Sequence, residues 1–248
     1  MRQQDQNSAQ DAVSGPFSGR LPREFYARTA PVVAKELLGC LLVYAHPEGP
    51  AGGRISEVEA YTQTDPASHA YPGPGPRNAI MFGPPGHAYI YFTYGAHFCM
   101  NAVAAPEGCG EGVLIRAVEP LIGLERMAAR RGVEVSADAL AAPPGGKARI
   151  RLGRALCAGP GRVCRAFGLT RAQNGADLTG DVLWIAPNPG KAPDPGSILA
   201  TPRIGITRGA DTLWRFTVRG DPYVSGPRRL TVEGAHPVAE GDGGERRC

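Results

Sequence analysis

The chain has 248 residues, 42% of them hydrophobic, with 27 Lys/Arg against 23 Asp/Glu for a net charge of +4, enough for one large domain or two small ones with a substantial core. It lacks a run of about eighteen apolar residues that could span a bilayer, and the polar opening MRQQDQNSAQDAVSGPFSG lacks a signal-peptide core. Membrane insertion and secretion are set aside, and the expected location is the cytoplasm, with nucleoid association if the source is bacterial. The six cysteines (Cys40, Cys99, Cys109, Cys157, Cys164, Cys248) form no CxxC pair and no zinc-type Cys/His cluster, so reduced, mostly buried thiols and no metal or other cofactor are expected.

In chain order, residues 1–19 read as a flexible leader, 20–228 as a single body, and 229–248 as a tail. In FYARTAPVVAKELLGC the spacing of Val32, Val33, Leu37 and Leu38, with Gly39 at the C-cap, predicts a helix feeding the strand CLLVYA. GGRISEVEAY predicts a strand over 54–61, and TQTDPASHAYPGPGPRNAIMFGPPG a long Pro/Gly-rich loop of the kind that carries function. Two strands, 88–93 and 96–104, join at TYGA, and EGVLIRAV is a further one. A helix is expected from Glu119-Pro120 to about Arg131. One or two short helices follow in the basic segment, and LATPRIGI and LWRFTVRG read as strands. The expected fold class is α+β: a single mixed domain with a curved, mainly antiparallel β-sheet or open barrel, flanking helices and a protruding β-hairpin. A likeness to formyltransferase C-terminal domains is analogy at the level of fold.

Residues two apart on a strand share a face, so Glu57, Glu59 and Tyr61 project together. That set suits a cavity in which a ring stacks on a planar ligand and a carboxylate handles a proton or a water; it also fits an exposed edge strand. Tyr89 and Tyr91 share one face of the next strand, and Ile90 and Phe92 are expected to pack inward on the other. Tyr94, beside Gly95 at the predicted turn, has little core to join, and a ring there can wedge between base pairs. Arg116 interrupts an apolar strand and needs a partner, because an unpaired buried charge is costly; Glu57 or Glu59 is the natural candidate. Asn101 shares a face with His97 and Cys99. Residues 145–171 hold seven Lys/Arg and no acid, which suits a polyanion or a solvated surface.

Taken together, EVEAY, SHAYPGPGPRNAIMFGPPGHAYIYFTYGAHFCMN, GVLIRAVEPLIGLERM, LCAGPGRVCRAFGL and RIGI…WRFTVRGDPYVSG resemble the alkyladenine (3-methyladenine) DNA glycosylase family over roughly residues 20–228. The resemblance implies that Glu59 is the general base for the attacking water and that Arg116 holds carboxylate and water in place. It makes Tyr61, Tyr91, His69 and Tyr89 the wall of a base-binding pocket. Asn101 matches the residue that crowds the 2-amino group of guanine, and Tyr94 the intercalating tyrosine. Ala96 and His97 depart from the family's bulkier methionine and tyrosine beside that wedge. Arg162, at a helix start after AGPG, and Arg77 are implied contacts to the DNA backbone. The implied partner is double-stranded DNA containing damaged purines, bound by a monomer that leaves an abasic site and has no lyase step. A non-catalytic damage-binding protein and an enzyme acting on a small nucleoside are the alternatives.

Overall fold

The computed structural model describes residues 15–93, 95–188, 190, 192–226 and the backbone of 236–237. After a single 3-10 turn at Gly15–Phe17 come helices α1 (Arg23–Tyr26) and α2 (Ala30–Leu37), then strands β1 (Leu41–Tyr44) and β2 (Ala51–Tyr61). Pro31 in the first turn starts α2, and Gly39, at a φ of 85°, ends it where the sequence places a C-cap. A long loop, with one 3-10 turn at Ala79–Phe82, leads to the hairpin of β3 (Ala88–Thr93) and β4 (His97–Val103). Strand β5 (Gly112–Ile122) is followed by four helices: α3 (Leu124–Arg131), α4 (Ala137–Ala141), α5 (Lys147–Cys157) and α6 (Pro160–Phe167). The chain then returns through β6 (Leu183–Ala186), β7 (Ile198–Thr201), β8 (Arg215–Val218) and the two-residue β9 (His236–Pro237).

The nine strands among the described residues form one open sheet in the order β3-β4-β5-β2-β8-β7-β9, with β1 branching from β2 and carrying β6. All pairings among the described residues are antiparallel, so the expected α+β class with an unclosed, antiparallel sheet is observed. The branch arises on β2. One margin pairs with β5, while the other is shared between β1 at residues 51–54 and β8 at residues 57–59. Ile55, Val58, Ala60, Ile90, Met100, Val113 and Ile115 join the core that α2, α3, α5 and α6 cover; burying about 25 cal/mol per Å2 of apolar surface there holds the helices on the sheet. No helix among the described residues is long and apolar enough to cross a membrane.

Four expectations need correction. The helix after β5 starts at Leu124, not at Glu119-Pro120, because those two residues still pair with Arg54 and Gly53 of β2 and the chain turns only at Gly123, at a φ of 76°. LATPRIGI is a strand only to Thr201, since Pro202 has no N–H to continue the ladder. Phe92 does not pack inward: it is 47% exposed and lies against Phe98 with ring centroids 5.0 Å apart, while Ile90 alone enters the core. Cys40, Cys99, Cys157 and Cys164 are buried free thiols, but Cys109, half-buried on the turn before β5 and not enclosed by the core, is disulfide-bonded. The sequence also gave no sign of β6, whose four residues are all buried.

Residues 1–14 of the expected leader lie outside the described residues; within 15–19, Phe17 packs on Trp184 and accepts its indole N–H at 2.9 Å. Of the tail, only the pairing of β9 with β7 is described.

Candidate active site

The ladder register lays one row of residues straight across the sheet. Tyr89 faces Asn101, Asn101 faces Leu114, Leu114 faces Glu59, Glu59 faces Arg215, and Arg215 faces Thr201. Directly opposed residues share a face, so six strands contribute to one surface, opposite the helix-covered core. The β2–β5 pairing is irregular around Glu57, where Ser56 and Arg116 drop out of register. A bulge of this kind re-aims a side chain, and here it turns Arg116 onto the two glutamates. It also frees the Arg116 carbonyl to accept the Gly159 N–H at 3.0 Å, which docks the start of α6 beside the site.

Glu59 is wholly buried. Its Oε2 accepts the Tyr61 hydroxyl at 2.7 Å, and its Oε1 accepts the Ile204 backbone N–H at 2.8 Å and sits 3.2 Å from an Arg116 guanidinium nitrogen. A carboxylate offers roughly four acceptor positions, so these three donors leave one. Arg116 also donates to Glu57 at 3.2 Å. Burial alone would lower the pKa of Arg116, but the carboxylates of Glu59 and Glu57 outweigh it and the net shift is upward, keeping it a cation. Burial, and then Glu59, raises the Tyr61 phenol well above its ordinary 10.0, so it stays protonated as the donor.

Tyr61, His69, Tyr89, Tyr91, Asn101 and Arg116 all line a single cavity of about 640 Å3, together with Met81, Cys99, Leu114, Ile204 and Arg208. Glu59 lies just beneath this floor, reached through three partners that do line it. Tyr89 and Tyr91 stand with ring centroids 5.4 Å apart at 31°, and His69 crosses Tyr91 at 4.4 Å and 62°. A His69 ring nitrogen, Nδ1, lies 3.0 Å from the Tyr89 hydroxyl. Burial lowers the His69 pKa below its ordinary 6.5 and pushes Tyr89 up to about 12, so both are neutral at pH 7. Asn101 is buried and donates to the Tyr89 carbonyl at 3.3 Å, which fixes its side chain at the cavity wall.

Of the remaining expected site residues, Arg162 is exposed in the first turn of α6 and donates to the Arg154 carbonyl at 3.2 Å, and Arg77 is exposed on the long loop. Tyr94 lies outside the described residues. His97, expected to share a face with Asn101, is exposed and packs against Gly161 of α6 in a second hollow of about 390 Å3.

The site also relies on residues the sequence did not single out. Arg215 donates to Glu57 at 2.5 Å and to the Thr201 hydroxyl at 2.9 Å, and the Ser225 N–H reaches Glu57 at 2.6 Å. Asn78 donates to the carbonyls of His69 and Gly73 at 2.8 and 3.0 Å and accepts the Gly75 N–H at 2.7 Å, pinning the loop that presents His69. An arginine within an apolar strand, the feature that drew attention to Arg116, was equally visible at Arg215. Nothing local marked Asn78 or the Ile204 backbone. Among the described residues no group of three His, Cys, Asp or Glu side chains could hold a metal ion.

A sequence profile of the methylpurine-DNA glycosylase (MPG) family matches residues 24–222. The chain is 50% identical over 209 residues, 84% of its own length and 91% of the relative's, to a Burkholderia lata protein provisionally named 3-methyladenine DNA glycosylase. A protein of the same provisional name from Methanoculleus marisnigri is 45% identical over 207 residues, 83% of this chain and 98% of that one. Another, from Rhodopseudomonas palustris, is 44% identical over 207 residues, 84% and 88% of the two lengths.

Proposed function

This chain belongs to the methylpurine-DNA glycosylase family, and from that premise we propose that it takes damaged purines out of duplex DNA and hydrolyses their glycosidic bond with a water activated by Glu59. The observation that carries the reading is the hydrogen-bonded set of Glu59, Tyr61 and Arg116 directly under an aromatic-walled cavity. A glycosidic bond inside a base stack is out of reach, so the nucleotide must rotate out. Stacking worth about 1–3 kcal/mol per base on the tyrosine rings offsets the cost of unstacking. Neutral His69 and the Asn101 side chain then meet the edge of the base, and Asn101 crowds a 2-amino group.

In the chemical step the bond from C1′ to the purine nitrogen breaks, its electron pair leaves with the base, and the sugar passes through an oxocarbenium-like state. The buried Glu59 carboxylate faces that positive charge and accepts the proton of the water that adds to C1′. Arg116, 3.2 Å from the Glu59 carboxylate, keeps it oriented. The products are the free base and an abasic site. Among the described residues no lysine lines the cavity, and the reaction proposed is hydrolysis without an amine nucleophile or a lyase step. Arg162 and Arg77 hold the DNA backbone, and Tyr94 fills the gap left by the rotated nucleotide.

The test is Glu59→Gln in single-turnover excision from duplexes carrying hypoxanthine or 3-methyladenine. The variant is expected to bind the duplex as the parent does and to lose about 10²–10⁴ in rate, the usual range for a general base. Undiminished excision would remove Glu59 from this role.

A further inference from the structure

Arg203 follows β7 at the entrance to the segment that closes the cavity, and its side chain is wholly buried. One guanidinium nitrogen donates to the Ala60 carbonyl at 3.0 Å and to Asp65; the other donates to Asp65 Oδ1 at 3.0 Å and to the Gly209 carbonyl at 3.2 Å. Ala60 stands between Glu59 and Tyr61. Asp65 anchors the loop that carries His69, and Gly209 closes the segment whose Ile204 N–H binds Glu59. A single cation therefore ties together three walls of the site.

The guanidinium carbon also lies 4.6 Å from the centroid of the Tyr61 ring. Tyr61 lines the cavity and Arg203 does not, so the cation sits behind the ring on which a rotated-out base would stack. An aromatic face attracts cations through its negative quadrupole, and a guanidinium already seated on one face spends part of that attraction. The surrounding charges point the same way. Arg116, Arg203 and Arg215 pair with Glu57, Glu59 and Asp65, which leaves no surplus anion in this set for a positively charged base, and exposed Arg208 adds a cation at the lining.

We propose, resting on the glycosylase reading above, that Arg203 is a positioning residue which reduces the negative potential of the cavity-facing side of Tyr61 and so tilts the site toward neutral purines over cationic N-alkylated ones. The reaction does not need this charge at the reacting atoms; its effect is on which base the ring holds.

The experiment compares kcat/KM for duplexes carrying neutral hypoxanthine or cationic 7-methylguanine. In the double variant Asp65→Asn/Arg203→Gln both charges go while hydrogen-bonding groups remain. Its 7-methylguanine-to-hypoxanthine ratio is expected to rise about threefold to tenfold, with the change in KM and not in kcat, as loss of a competing cation–π contact requires. Arg203→Lys keeps a charge for Asp65 but loses the planar group over the ring, and is expected to move the ratio the same way by about twofold, so the test stands even if the double variant does not fold. An unchanged or reversed ratio in a variant that melts cooperatively overturns the proposal and leaves Arg203 as support for the walls alone. If the parent protein excises neither lesion, the glycosylase reading fails by itself. The ratio is then read from tyrosine-fluorescence titrations with inosine and the 7-methylguanosine cation, with the same two outcomes.

Discussion

Glu57 and Glu59 stand two residues apart on one strand and end in different company. Glu57 is held by Arg116, Arg215 and the Ser225 N–H, of which only Arg116 lines the cavity, whereas all three partners of Glu59 line it. On the proposed reading Glu57 is therefore the structural acid, and Glu59, whose Tyr61 and Ile204 partners line the cavity, is the one that meets the water. Removing Arg215 would leave Glu57 charged, buried and short of a partner, a change that costs about 3–5 kcal/mol. Arg215→Met is expected to lose that much in urea unfolding, and Glu57→Gln/Arg215→Met to recover part of it; equal losses in both would argue that packing, not charge, is at stake. The carboxylates and tyrosines were legible because period-two spacing states which side chains share a face, and Arg116 because a charge in an apolar strand demands a partner. The identity of that partner was not legible, because a bulge of one residue decides whether Arg116 meets one glutamate or both. Ile204 could not be read at all, since its contribution is a backbone N–H that no side chain announces.

Among the elements, β2 carries the site and its local irregularities shape it. Gly53 sits where the β2–β5 register slips, and a Cβ there would lie 2.3 Å from the Glu119 carbonyl oxygen and 2.5 Å from Val118 Cγ1. Backbone on one side cannot swing away as a flexible side chain could. Gly53→Ala is expected to cost about 1–3 kcal/mol, the range for overpacking, seen as a lower melting temperature, with excision at permissive temperature little changed because Glu59 lies beyond the slip. The same slip explains why the sequence placed the helix after β5 too early. Glu119-Pro120 has the look of a helix start, but a proline is tolerated in a ladder where the register breaks, and the pairing partner that decides this is 67 positions earlier, at Gly53. Strand β6 was missed for a related reason: four buried residues with no alternation carry no periodicity to recognise.

At the scale of the whole molecule, the modest net charge hides a local concentration. The Arg131 guanidinium is held below its ordinary pKa of 12.5 first by burial and then by the nearby charges of Arg162 and Arg165, evidence in the fold itself of cations gathered faster than acids offset them. Such a patch gains most from a polyanion, because each phosphate neutralised releases counterions. Arg162→Ala is expected to weaken binding to lesion and undamaged duplexes alike and to lower the slope of log K against log salt by about 0.9, one contact's worth; an unchanged slope would place Arg162 off the DNA path. The branched sheet bears on how a lesion gets in. Strand β2 is clasped along both margins by β5 on one side and β1 and β8 on the other, while His69, Ile206 and Arg208 ride on connecting segments. On the proposed reading a bulky base enters past those connecting segments while Glu59 stays clamped within the sheet, so doorway and anvil are mechanically separate parts.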